Sequence, residues 1–134
     1  MTLAERLEGF YGTEGYHRFN LFTPIVATDG VIYFAKEGNA FWALDQMITM
    51  RVQLIEKGKI QSNEWLFYTI TSKNGKADIV VDDGNGNIYA KKHIAHTDLE
   101  KGEYKFYLMD NVLLLPSEYE LKENRWLTPV LFVV

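Results

Sequence analysis

Near residues 57–64 the hydrophobic period of this chain changes from between three and four to two, and that switch confines it to helices first and strands afterwards. Before the switch, Phe41, Leu44, Ile48, Val52 and Ile55 form one stripe of a helix over 40–57. Ala43, Met47, Met50 and Leu54 form a second stripe beside it. A helix apolar over so wide an arc needs cover on more than one side, from a sheet and from another helix or a second subunit. After the switch, Trp65-Leu66-Phe67-Tyr68-Thr69-Ile70-Thr71 has the aromatic and β-branched alternation of a strand. Asn74-Gly75 is a tight-hairpin signal returning through Ala77 to Val81, and Asp83-Gly84-Asn85-Gly86-Asn87 turns the chain again into Ile88 to Ile94. Tyr104 to Met109 and Val112 to Leu115 complete the series before Pro116.

Two shorter helices precede these elements. Leu3 and Leu7 share one face over 2–9, which Gly9 and Gly12 end, and Thr28-Asp29-Gly30 supplies a capping side chain ahead of Val31-Ile32-Tyr33-Phe34, with Gly38-Asn39 as the stop. Tyr11 to Phe22 is a loop or an edge strand. The expected fold is α+β: a single domain over 1–134, with helices in about 1–58 packed on one face of a four- or five-stranded antiparallel meander in about 63–134. The tail from Trp126 to Val134 is too apolar for water, and Pro129 cannot donate to a central ladder; an edge strand or an intersubunit contact is expected there.

Composition narrows the function classes. The chain has no cysteine, so thiol catalysis, disulfides and thiolate metal sites are excluded, in keeping with a reducing compartment. Its start turns polar at once and no apolar run reaches about 18 residues, so neither export nor a membrane span is expected and the protein is placed in the cytoplasm. A net charge of −4, with basic residues scattered, argues against direct nucleic-acid binding. The 18 acidic residues are offset by 14 basic ones, which disfavours an acidic face that mimics DNA.

No motif assembles a reaction centre. Counted from Asp83, the acidic turn puts Ile88 where a calcium loop needs its glycine and Ile94 where it needs its glutamate, so a plain hairpin turn is expected. His93 and His96 flank a strand end with no third ligand at a recognisable spacing, and the glycines at 12 and 15 do not make a phosphate loop. Neither cofactor nor metal is expected. Asp45 stands out within the apolar run Phe41 to Ile48. It either occupies a narrow solvent-facing strip or joins His17 or Arg18 in a polar pocket.

Phe10-Tyr11-Gly12-Thr13-Glu14, Thr28-Asp29-Gly30-Val31 with Tyr33, Ala40-Phe41-Trp42 with Leu44-Asp45, and Leu114-Leu115-Pro116-Ser117-Glu118-Tyr119 carry a resemblance. With them the chain resembles a family of small bacterial proteins of unknown function, often carried on phages, plasmids and other mobile elements. The resemblance implies that Asp45 and the Thr28-Asp29-Gly30 cap belong to a recurring pattern, and it brings no catalytic roles.

The leading expectation is a non-enzymatic accessory protein of a mobile element that binds another protein, a host defence component among the candidates, with self-association through the tail and the second helix stripe. The alternative is a small-molecule binder or enzyme with a pocket between helix 40–57 and the sheet, lined by Trp42, Asp45, Tyr68, His17 and Arg18.

Overall fold

Helices give way to strands where the hydrophobic period changes. The computed structural model describes residues 1–119. Along the chain lie α1 (Leu3–Leu7), β1 (Tyr16–Arg18), β2 (Val26–Thr28), α2 (Asp29–Glu37), α3 (Phe41–Glu56), β3 (Leu66–Lys73), β4 (Lys76–Asp82), β5 (Ile88–Ile94), β6 (Gly102–Met109) and β7 (Val112–Leu114). Residues 116–119 are also helical.

Local chemistry accounts for most boundaries. Thr2 and Glu5 form a reciprocal capping box on α1. The Thr28 hydroxyl caps α2, accepting from Val31 N at 3.4 Å. At the other end Asn39 takes the left-handed conformation, φ 51°, and Ala40 N donates back to Ala35 O at 2.8 Å, which closes α2 and launches α3 without a side-chain cap. The second stripe of α3, Ala43, Met47, Met50 and Leu54, is entirely buried within the chain itself. The first is divided: Leu44 and Ile48 are buried, whereas Phe41 and Val52 are exposed.

The sheet departs from the expected four- or five-stranded meander. Among the described residues it has seven strands in the order β1-β2-β7-β6-β3-β4-β5. All neighbours are antiparallel except β2 and β7, which pair in parallel through Val26–Val112 and Ala27–Leu113. β6 does not follow β5 at the edge; it returns to the far side of β3. The residues give the reason. Tyr104, Phe106 and Leu108 are buried and need the helices above a central strand, whereas β5 carries Lys91-Lys92, which suit an open edge. The returning chain crosses the end of the β3–β4 hairpin, where Thr97 N donates to Gly75 O at 2.9 Å.

One face of the sheet meets the helices. Leu66, Tyr68 and Ile70 of β3, Ala77, Ile79 and Val81 of β4, and Tyr104, Phe106 and Leu108 of β6 are buried there. Phe34 of α2 enters this layer with ring contacts to Tyr104 at 5.2 Å and Phe106 at 4.8 Å. The Tyr68 hydroxyl donates to the Met47 carbonyl at 2.7 Å, tying β3 to α3; burial pushes that phenol far above its ordinary range. No helix among the described residues is long and apolar enough to cross a membrane. The expectation for Trp126 to Val134 falls outside the described residues.

Candidate functional site

Three of the four stretches singled out in the sequence meet at the start of α2. A helix leaves its first backbone N–H groups without helical partners, and here each of the first three finds a side chain. Asp29 N donates to Thr13 Oγ1 at 2.8 Å, Gly30 N to Glu118 Oε2 at 3.2 Å and Val31 N to Thr28 Oγ1 at 3.4 Å. Segment 10–15, the strand-to-helix junction and the 116–119 turn are thereby bound at one point.

Glu118 is the buried centre of that junction, 4% exposed. Its Oε1 accepts from the Thr28 hydroxyl at 2.6 Å and from Leu115 N at 2.9 Å, while Oε2 takes Gly30 N. Burial raises its proton affinity above that of an ordinary glutamate; the donors from Thr28, Leu115 and Gly30 pull the other way, and the Asp29 charge adds to the rise. Gly30 lets these side chains close in: a Cβ would stand 2.6 Å from Leu115 Cδ1 and 3.1 Å from a Glu118 oxygen, so both would have to shift.

Asp29 faces outward from the same turn. His17 Nε2 donates to its Oδ1 at 2.7 Å and Glu14 N to its Oδ2 at 2.8 Å; these bonds, His17 first, hold its carboxyl below the usual range. The Thr13 hydroxyl donates onward to Gly15 O at 2.6 Å. Such a cluster resembles an acid–base dyad beside a helix start, but its groups already serve one another. The three first-turn N–H groups are occupied, so no anion cradle remains, and among the described residues no serine or threonine hydroxyl is hydrogen-bonded to His17. The arrangement is a staple.

Directly beside it the chain turns apolar side chains to solvent. Among the described residues β1 is the outermost strand at this edge of the sheet, paired only with β2, and its three residues are all exposed. In the β1–β2 connection Leu21 is 85% and Phe22 93% exposed, and the turn is fixed by Phe22 N donating to Asn20 Oδ1 at 2.8 Å. Tyr11 and Tyr16 are exposed as well.

The five residues expected to line a pocket are dispersed. His17 and Arg18 lie on β1, His17 bonded to Asp29 and Arg18 donating to Thr23 O at 3.3 Å, so neither pairs with Asp45. Asp45 is on the exposed strip of α3 with Phe41 and Thr49, Trp42 is half-buried at the start of that helix, and Tyr68 is sealed beneath it. β2, β7 and β6 separate β1 from β3, placing His17 about 19 Å from Tyr68 across the sheet at the usual strand spacing. In the Asp83 turn, the carboxylate accepts from Asn85 N at 2.7 Å and from Asn87 Nδ2 at 2.7 Å, with Gly84 and Gly86 at positive φ. That is the chemistry of a turn. His93 bonds Asp78 across β4 and β5 at 2.8 Å, and among the described residues no group of three His, Asp or Glu is placed to hold a metal ion.

Sequence reasoning singled out the stretch containing Glu118 without giving that residue a role, and it missed the Leu21-Phe22 tip. The glutamate had a signal, since Ser117-Glu118 follows Pro116 at a helix start, but apart from Leu115 its partners lie 88 and 90 residues away. Adjacent Leu21 and Phe22 carry no periodicity that would tell exposure from burial.

Residues 1–119 match a family of unknown function, DUF6876. The chain belongs to that family. The matched region ends with the stapling turn, so the junction from Thr13 to Glu118 lies wholly within it. Neither a curated protein nor a solved structure matches the chain.

Proposed function

We propose that this protein acts by binding another protein through the β1–β2 hairpin and does no chemistry itself. One observation carries the reading: Leu21 and Phe22, adjacent at the hairpin tip, are 85% and 93% exposed. Covering two such side chains with a partner is worth about 1.5–3 kcal/mol each. The tip is held in shape by Asn20 and by the staple beneath β1, so little ordering cost accompanies binding. Among the described residues β1 has no strand on its outer side, and an extended segment of a partner can pair there beside the tip. The non-enzymatic half of the reading is supported by the closure of the polar cluster at α2, whose groups bond one another.

The setting in this reading is that of a mobile-element accessory factor acting on a host component in the cytoplasm: the resemblance to small bacterial proteins often carried on mobile elements suggests the first, and the absence of cysteine is in keeping with the last. A second copy of the chain is the competing occupant of the hairpin.

Affinity capture from cells of the source organism, run side by side with wild type and an L21S/F22S variant of equal thermal stability, tests the reading. The expected result is a stoichiometric partner recovered by wild type and lost with the variant. Equal recovery by both, or recovery of nothing but the bait, contradicts it. A dimer by light scattering that L21S/F22S dissolves assigns the hairpin to self-association instead.

A further inference from the structure

At the opposite end of the sheet from the staple's helix start, the last turns of α3, the loop before β3 and the β6–β7 turn enclose a cleft of about 360 Å³. We infer that this cleft binds a small zwitterion, the chemical class of a free α-amino acid. One of its polar groups is held in place and several are open. Arg51 Nη2 donates to Ser62 O at 2.6 Å, which orients the guanidinium and leaves its remaining N–H groups for a ligand. The fork of a guanidinium matches a carboxylate.

Asp110 also lines the cleft, and its Oδ1 accepts a long 3.4 Å bond from Trp65 Nε1. Glu64 is already engaged, one oxygen taking Gln61 N at 3.0 Å and the other the Tyr89 hydroxyl at 3.2 Å. Among the described residues the side-chain amides of Asn63 and Asn111 have no hydrogen-bond partner. Leu108, 2% exposed, makes the floor.

Charge selects the ligand class. A simple anion meets Arg51 but also two carboxylates; a simple cation meets Arg51 as a repeller. A molecule carrying both charges satisfies Arg51 with its carboxylate and Asp110 with its ammonium. The volume falls near the low end for small-molecule sites, which suits a single amino acid.

The test is a ¹⁵N-resolved NMR titration of the full chain with glycine, leucine, phenylalanine, glutamate and lysine, following the Asn63 and Asn111 side-chain amides and Arg51 Nε. At least one amino acid is expected to shift these signals saturably below about 10 mM, and its desamino and decarboxy analogues to bind about tenfold more weakly or worse. Arg51→Met should abolish the response. Asp110→Asn serves as the second variant, because asparagine also accepts the left-handed conformation that Asp110 adopts, φ 50°; it should fold normally and lose preference for the ammonium. No saturable shift with any of the five, equal responses from the single-charge analogues, or unchanged binding in folded Asp110→Asn overturns the inference.

Discussion

The start of α2 and the tip of the β1–β2 hairpin are neighbours built on opposite principles. At the helix start, polar atoms converge and nearly all are partnered: Glu118 serves three donors and Asp29 two. At the hairpin tip, Leu21 and Phe22 are bare. The acidic residues, threonines and histidine of the cluster bond one another and tie three segments of the chain together. The hydrophobic surface left uncovered beside it is the one to which we assign partner binding.

The sharpest way to break that contrast is Glu118→Ala. It leaves the Thr28 hydroxyl and two backbone N–H groups buried without acceptors, and a loss of about 3–5 kcal/mol is expected in urea denaturation. A loss below about 1 kcal/mol would mean the junction does not hold the fold. Gly30→Ala comes next, at about 1–3 kcal/mol, because Leu115 and Glu118 must move to admit a methyl group. Thermal melting reads it directly; a neutral result would show that the 116–119 turn yields freely.

The pH dependence separates the two carboxylates of the staple by sign. Glu118 has a raised proton affinity when folded, so its contribution is greatest below pH 4.5 and is lost as pH rises from there through its folded value. Asp29 is lowered, so its contribution is present above pH 3.8 and is lost as pH falls through its folded value. Stability measured from pH 3 to 8 should therefore lose its decline above pH 4.5 in Glu118→Gln and its acid-side fall in Asp29→Asn. Identical profiles in both variants would remove the assignment. The smallest effect belongs to the hairpin: L21S/F22S should change stability by less than about 0.5 kcal/mol, since neither side chain is packed.

How far the residues announce this arrangement depends on range. α3, the Thr28 cap and the Asn74-Gly75 hairpin are written in local spacing and turn chemistry, and each forms where that spacing puts it. β2 is only three residues long and joins β7 in parallel from a distance, so no local period betrays it. The return of β6 to β3 is equally non-local; its clue was chemical, in the lysines that keep β5 at an edge. For the site, the sequence named Thr28, Asp29, His17 and Arg18 without showing that Glu118 closes the cluster. It gathered Trp42, Asp45 and Tyr68 around a pocket because they are unusual residues on adjoining elements. Helical and strand phase instead turns Asp45 to solvent and Tyr68 into the core.

The most direct trial of the separation between staple and contact surface is site-specific photo-crosslinking in living cells of the source organism, with benzoylphenylalanine placed at position 22 and, as comparison, at exposed position 45. A single discrete adduct from position 22, absent from position 45, is the predicted outcome. Adducts from position 45 alone, or none from position 22 in a folded protein, would contradict it.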